Sequence, residues 1–198
     1  MSFLEINLKK LTHNYKYLRS LLDPNVRMMG VIKANAYGSL IEVIANKLIA
    51  LGIEALAVAY VSEGVALRKA GIKVPILVFY PQISNFEKII KYKLEPAIYS
   101  KRSWLEFKKI IGKNGNSNYP IHIKYNTGLN RIGFNPNEIN WVITELKHSP
   151  IRLKSIYSHL GATEAKRPDQ KTDLQIKIFQ EIINKHKKNT TEKIDFHL

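Results

Sequence analysis

The residues with the clearest chemical potential lie in the run from Val31 to Gly38, which reads Val-Ile-Lys-Ala-Asn-Ala-Tyr-Gly. Lys33 ends a short apolar stretch, small and turn-forming residues follow it, and a helical pattern starts directly afterwards. This order predicts that Lys33 lies at the carboxyl end of a strand, where barrel enzymes keep their chemistry. A partly desolvated lysine at such a position is a candidate Schiff-base nucleophile. An ordinary solvated lysine is the alternative, and the surrounding residues favour the chemical role.

Two other apolar runs also end in polar residues. Lys124 ends one of them and is followed by a glycine-containing segment with Arg131, and His159 follows the other. Taken singly, the two cations are able to pair with surface carboxylates, and the histidine is able to be structural. Taken together with Lys33, they join an amine nucleophile, a fixed cation and an imidazole. Such a site is suited to a planar, anionic cofactor that carries an aldehyde.

Short apolar runs alternate with amphipathic stretches along the whole chain. The runs predict strands at Met28–Lys33, Ala55–Tyr60, Pro75–Tyr80, Pro96–Tyr99, Pro120–Lys124, Leu153–Ser158 and Ile194–Leu198. The amphipathic stretches predict helices at Leu8–Leu22, Ile41–Leu51, Ser62–Gly71, Asn85–Tyr92, Ser103–Ile111, Asn137–Lys147 and Asp173–His186.

This alternation predicts an α/β fold in which helices cover a parallel sheet. An open doubly wound sheet and a (β/α)8 TIM-type barrel both fit the pattern. The first apolar run lacks the glycine-rich dinucleotide fingerprint, which weakens the open sheet. We therefore expect a barrel that is incomplete in this chain, with about seven strands.

Composition narrows the classes of function. The chain of 198 residues has no cysteine, so disulfides, thiolate nucleophiles and cysteine-bound metals are excluded, and we expect no metal site. Its net charge of +15 comes from lysines dispersed over polar helix faces, which favours a solvated surface over a nucleic-acid partner. The first residues do not resemble a signal peptide, and the apolar runs are too short to span a bilayer. We expect a cytoplasmic protein with no membrane partner.

Four segments in order resemble the signature segments of one enzyme family. They read LEINLKKLTHNYKYL, VIKANAYG, KYNTGLNRIG and IYSHLG. They are similar to segments of the alanine racemases, which are pyridoxal-phosphate enzymes with a barrel of fold type III and a C-terminal β domain. The resemblance covers most of the chain, and the shared order makes it specific.

The resemblance implies roles for residues of the second and third segments. Lys33 would form the internal aldimine with pyridoxal 5′-phosphate and act as one of two catalytic bases. Tyr37 would help to set the environment of the cofactor and its phosphate. Arg131 would donate a hydrogen bond to the phenolic oxygen of the cofactor.

The resemblance also implies roles for three residues around them. Lys124 matches the lysine that is often carbamylated, as N6-carboxylysine, and that orients Arg131. His159 would lie against the pyridine ring of the cofactor. His197 matches a histidine that supports a later arginine.

The activity implied by the resemblance is the interconversion of L-alanine and D-alanine. One base removes the α-proton on one face and the other returns a proton on the opposite face, which inverts the stereocentre. The substrate would be a small amino acid, the whole protein a homodimer, and the product D-alanine for peptidoglycan.

The sequence departs from the family pattern at three places. Asn126 replaces an aspartate beside Arg131, and Ser39-Leu40 stands where the family often has His-Gly. The chain ends at Leu198, before the motif that brings a phosphate-binding serine, before the eighth strand and before the β domain with its tyrosine base. We therefore expect residues 1–198 to be a truncated PLP-binding N-terminal barrel domain that is inactive by itself.

Other functions fit parts of the same pattern. A racemase for serine or another amino acid would share the four segments. A non-catalytic PLP-binding barrel of the PLP-homeostasis type would share the cofactor but completes its barrel and has a different lysine motif. A basic module that binds nucleic acid fits only the net charge.

Overall fold

The computed structural model describes residues 3–115, 117–164, 166 and 169–198. The chain forms two compact units, residues 1–96 and residues 97–198. In the described residues of both units, strands alternate with helices, and every strand pairing is parallel.

The first unit contains four helices besides a short segment that we label α2. Its elements are α1 (Leu8–Ser20), β1 (Met29–Val31), α2 (Lys33–Gly38), α3 (Ile41–Ala50), β2 (Ala55–Val58), α4 (Val61–Lys69), β3 (Ile76–Val78), α5 (Phe86–Lys91) and the first half of β4 (Glu95–Ile98). Strand β2 pairs with β1 and β3, and β3 pairs with the first half of β4. All residues of β3 and nearly all of β2 are buried, as expected for parallel strands that are covered on both faces.

The second unit contains the other half of β4 and the elements that follow it. These are α6 (Lys101–Asn114), β5 (Tyr119–Lys124), α7 (Ile139–Lys147), β6 (Ile151–Tyr157), α8 (Gln170–Lys187) and β7 (Asp195–His197). Strand β5 pairs with the second half of β4 and with β6, and β6 pairs with β7. The buried residues of α8 recur every three or four positions, which is one face of a helix; they are Thr172, Gln175, Phe179, Ile182 and His186.

The predicted seven strands and seven helices are confirmed, with ends that differ by a few residues. Two helices begin earlier than predicted because a polar side chain caps them. The Ser100 hydroxyl accepts a hydrogen bond from the amide of Ser103, so α6 begins at Lys101. The Asp169 carboxylate accepts hydrogen bonds from the first turn of α8, which begins at Gln170. In the described ranges, no helix combines the length and the apolar character needed to cross a bilayer.

Candidate active site

Lys33 lies directly after the buried Ile32 at the carboxyl end of β1, as predicted, and its side chain is half-buried. The next four residues, 34–37, have φ angles between 52° and 57°, so this part of α2 is a left-handed turn formed by non-glycine residues. Each non-glycine residue in this conformation costs about 1–2 kcal/mol, or on the order of 4–8 kcal/mol for the turn. The surrounding structure must supply contacts that hold this segment in place.

Glu63, in the first turn of α4, provides the most extensive of these contacts. Its carboxylate oxygens accept hydrogen bonds from three backbone amides: Ala34 at 2.5 Å, Ala59 at 2.8 Å and Tyr60 at 2.9 Å. The amide of Ala34 belongs to the peptide bond that Lys33 itself forms. Glu63 therefore ties the lysine end of α2 to the carboxyl end of β2.

The far end of α2 is held by other contacts. The Asn35 side-chain oxygen accepts a hydrogen bond of 2.9 Å from the amide of Ile41, the first residue of α3. Within the turn, the amide of Ala36 donates to the carbonyl of Ile32 at 2.9 Å. The Tyr37 ring stays 66% exposed, so this predicted site residue lies at the surface of the first unit.

Lys124 ends β5 in the second unit, and only 5% of it is exposed. Burial and the nearby Arg131 guanidinium lower the pKa of Lys124 to about 8. Its Nζ lies 4.9 Å from the centroid of the Tyr157 ring. A buried amine with this pKa is partly neutral near pH 7.5, and a neutral amine is a nucleophile.

The neighbours of Lys124 form a buried polar cluster on β5, β6 and β7. The His197 ring stacks on Tyr157, with centroids 5.0 Å apart and planes within 3°. Ser155 joins His122 and His197, because its hydroxyl lies 2.6 Å from His122 Nδ1 and 3.2 Å from His197 Nε2. Burial, His122 and Lys124 lower the pKa of His197 to about 4, so the imidazole stays neutral at pH 7.

Arg131 lies on the exposed loop between β5 and α7. Asn126 shapes this loop: its side-chain oxygen accepts hydrogen bonds from the amides of Gly128 at 3.1 Å and Asn130 at 2.9 Å. Its side-chain nitrogen donates to the Asn130 side-chain oxygen at 2.9 Å. Asn126 thus closes the turn that carries Arg131, and it also supplies a donor that an aspartate lacks.

His159 follows β6, as predicted, and its side chain is exposed. Its loop is held by Gln175 of α8, which donates to the carbonyl of His159 at 3.0 Å and accepts from the amide of Gly161 at 2.8 Å. Gln175 is buried on the inner face of α8, so the packing of this helix determines where the histidine backbone lies.

In the second unit, Lys124 therefore lies close enough to Arg131 and His197 for their charges to interact. In the first unit, Lys33 and Tyr37 lie on one turn. Sequence analysis missed the residues that support them, chiefly Glu63, Gln175 and Tyr157. The Glu63 position in the first turn of a helix was its only signal. No cluster of three or more His, Asp or Glu residues that is able to hold a metal exists among the described residues.

A separate cavity of about 530 Å³ opens in the first unit. It lies between α4 and α5, and tyrosine, lysine and amide side chains line it, among them Tyr60, Tyr80, Lys69 and Lys88. None of the predicted site residues lines this cavity.

Two histidines, the buried His186 and the half-buried His197, predict an acid-sensitive second unit. Burial, and to a smaller extent the charge of Lys185, lowers the pKa of His186 to about 4. Its Nε2 lies 2.9 Å from the Tyr125 hydroxyl. The pKa of His197 is lowered to the same value. Both imidazoles prefer the neutral form when folded, so their contribution to stability is complete above pH 6.5 and is lost as the pH falls towards 4.

We expect the free energy of unfolding to fall between pH 6.5 and 4 by up to about 1.4 kcal/mol per pH unit for each histidine. Urea unfolding of the parent chain and of His186→Gln at pH 7, 6, 5 and 4 measures this slope. The variant should show a clearly smaller slope over the acid range. Equal slopes in the two proteins would rule out His186 as a source of the acid sensitivity.

Parallel strands that alternate with helices, and that carry a lysine, an arginine and histidines at or just after their carboxyl ends, are typical of the α/β-barrel class of proteins. Residues 6–198 match the sequence profile of the family described as "Alanine racemase, N-terminal domain". The chain belongs to this family.

Two curated relatives illustrate the match. The alanine racemase of Halothermothrix orenii is 32% identical over 205 residues, which cover 97% of this chain and 54% of the relative. Alanine racemase 2 of Clostridium acetobutylicum is 35% identical over 188 residues, which cover 90% of this chain and 45% of the relative. The chain spans about half the length of the curated relatives that it matches.

Solved structures agree with this assignment. The alanine racemase of Clostridium difficile 630 superposes with a TM-score of 0.89 at 30% identity, over 96% of this chain and 50% of that chain. The alanine racemase of Corynebacterium glutamicum gives a TM-score of 0.85 at 27% identity, over 98% of this chain and 55% of that chain. The predicted barrel fold is confirmed by these likenesses.

Proposed function

We propose that residues 1–198 are the cofactor-binding N-terminal barrel domain of an alanine racemase that interconverts L-alanine and D-alanine with pyridoxal 5′-phosphate. The observation that carries this proposal is the position of Lys33, half-buried at the carboxyl end of β1 and fixed there by a left-handed turn. Membership of the racemase family over residues 6–198 supports the same reading.

The chemistry of the residues fits this cofactor. A half-buried primary amine suits its aldehyde, and the exposed guanidinium of Arg131 suits its phenolic oxygen. The exposed imidazole of His159 offers a flat face for the pyridine ring. When bound, the cofactor would stabilise the negative charge that develops at the substrate α-carbon after loss of its proton.

The proposed roles of the chain's own residues follow from their chemistry. Lys33 Nζ would bind the cofactor and would remove or return the α-proton on one face of the substrate. Lys124 would orient Arg131, and Tyr37 would contribute to the phosphate environment. Tyr157 and the neutral His197 pack against Lys124 and would hold its side chain in place.

Racemisation needs a second base on the opposite face of the α-carbon. Because the curated relatives are about twice as long, we assign this base to a part of the whole protein beyond residues 1–198. The resemblance to the racemase family implies that this part is contributed across a homodimer interface. We therefore expect residues 1–198 not to racemise alanine by themselves. In the whole protein, the product would be D-alanine for peptidoglycan, made in the cytoplasm.

A racemase for a different amino acid is the second candidate. One relative at 33% identity, over 91% of this chain, is named an amino-acid racemase, from Enterococcus faecalis. The first candidate rests on the larger number of relatives that are named alanine racemases.

The experiment that separates these candidates incubates the whole protein with pyridoxal 5′-phosphate and single L-amino acids, and follows the D-isomers by chiral chromatography. We expect alanine to be converted towards an equal mixture of isomers, with serine and lysine at least tenfold slower. Faster conversion of another amino acid would select the second candidate. Absence of any D-isomer from a protein that binds the cofactor would contradict both.

Lys124 is proposed to be carbamylated. The neutral form of an amine with a pKa of about 8 attacks carbon dioxide, forming an N–C bond and releasing one proton, and the resulting anion is able to pair with Arg131. We expect a carbamate carbon signal by NMR after equilibration with 13C-bicarbonate, and we expect Lys124→Arg to lose it. The exposed Lys109→Arg is the matched control and should retain the signal. A signal that persists in Lys124→Arg would contradict the assignment.

A further inference from the structure

The contact between Glu63 and α2 joins two segments that are 29 residues apart in sequence. Glu63 lies in the first turn of α4, whereas the amide of Ala34 follows Lys33 directly. The other carboxylate oxygen accepts hydrogen bonds from the amides of Ala59 and Tyr60, and these two residues connect β2 to α4. One side chain therefore links the carboxyl ends of two neighbouring strands, β1 and β2.

The left-handed conformation makes this link important for Lys33. Alanine and tyrosine do not favour this backbone region, and asparagine adopts it routinely only as a single residue. Four such residues in succession therefore keep this shape only where outside contacts hold them. The bond to the Ala34 amide fixes the plane of the peptide that joins Lys33 to Ala34. Fixing that plane restricts the backbone of Lys33 and hence the direction in which its side chain leaves β1.

We propose that Glu63 is a positioning residue for Lys33. It accepts a hydrogen bond from the Ala34 amide and so holds the Lys33 amine in the orientation that reacts with the cofactor. This inference rests on the proposed function, because it takes Lys33 as the cofactor lysine. Glu63 would act through the backbone and would not contact substrate or cofactor itself.

A purely structural role for Glu63 is the competing explanation. A carboxylate at the start of α4 stabilises that helix whether or not it affects Lys33. Glu54 offers a matched control. Its carboxylate also accepts a hydrogen bond from a backbone amide, that of Met28 at 2.9 Å, next to the amino end of β1. Replacing Glu54 removes a similar bond from the same unit at the end of the strand away from Lys33.

The experiment compares Glu63→Ala, Glu63→Gln and Glu54→Ala in the whole protein. The first readout is the rate at which pyridoxal 5′-phosphate becomes attached to Lys33, measured by borohydride quenching at set times and quantification of the Lys33 peptide. The second readout needs no cofactor and is hydrogen exchange of the peptide that contains the Ala34 amide. Melting temperatures are recorded for all variants.

We expect Glu63→Ala to slow attachment at Lys33 at least tenfold relative to Glu54→Ala, and to speed exchange at Ala34 at least tenfold. Glu63→Gln keeps one oxygen acceptor and the shape of the side chain, so it should fold even where the alanine variant does not, and it should slow attachment at least threefold. Rates in both Glu63 variants equal to that of Glu54→Ala would overturn the positioning role. Absence of attachment at Lys33 in the parent protein would instead overturn the proposed function.

Discussion

Replacing Lys33 by alanine will reduce racemisation of alanine by at least about 10³-fold, because one substitution removes both the amine that binds the cofactor and one of the two bases. A positioned general base alone contributes roughly 10²–10⁴-fold to a proton transfer. Alanine also occurs at positions 34 and 36 of the same turn, so the backbone has no need to change. The measurement is the initial rate of D-alanine formation by the whole protein at saturating cofactor.

Lys73→Ala is the matched control for this prediction. Lys73 is an exposed lysine of the first unit that precedes β3, so its replacement removes the same charge from the amino end of a strand. We expect it to retain the parent rate within about twofold, as is usual for an exposed side chain. Substantial activity in Lys33→Ala would show that Lys33 is neither the cofactor lysine nor a catalytic base.

Replacing Gly133 by alanine will destabilise the second unit by about 2–4 kcal/mol. Gly133 has a φ of 135°, a conformation that side chains rarely allow. A Cβ atom there would lie 2.6 Å from the backbone nitrogen of Asn126 and 2.6 Å from the carbonyl carbon of Tyr125. Both are backbone atoms, and the Asn126 nitrogen donates a hydrogen bond to the Phe134 carbonyl. Relief of this clash therefore requires the loop that carries Arg131 to move. Urea unfolding measures the loss.

Gly112→Ala is the control for the glycine substitution. Gly112 lies inside α6, and a Cβ atom there would meet no atom within 4 Å. Alanine favours a helix over glycine, so we expect this variant to be about 0.5–1 kcal/mol more stable than the parent. Equal stability of the two alanine variants would show that the close approach at Gly133 is not maintained in solution.

The strands could be predicted from sequence because parallel strands are buried on both faces. The runs around Leu56 and Leu77 contain only apolar residues, and both side chains are fully buried. The helices could be predicted because their apolar residues recur at helical spacing, as at Phe179 and Ile182 of α8. The positions of Lys33, Lys124 and His159 followed from these strands, since each lies at or just after a strand end.

The left-handed turn after Lys33 could not be predicted from its residue types. Only Gly38 and Asn35 in this segment are residue types that tolerate a positive φ, whereas Ala34, Ala36 and Tyr37 adopt one against their preference. The most extensive of the contacts that hold the turn comes from Glu63, 29 residues away from Ala34 in sequence. Sequence patterns report local preference, and they carry no signal for a bond of this range.

The burial of His186 was also missed. Its neighbours Lys185, Lys187 and Lys188 are residues typical of a solvated cationic helix end. In the structure, the histidine faces inward at 2% exposure and lies within hydrogen-bond distance of the Tyr125 hydroxyl. The helical face defined by Phe179 and Ile182 includes position 186, so periodicity was the signal that charge obscured.

The most direct test of the central claim, that Lys33 is the cofactor lysine, is to map where pyridoxal 5′-phosphate attaches. The whole protein is incubated with the cofactor, reduced with borohydride, digested and analysed by mass spectrometry. We predict a pyridoxyl group on Lys33 at close to one per chain, with the buried Lys124 unlabelled. Labelling of Lys124 or of surface lysines, with Lys33 unmodified, would contradict the account.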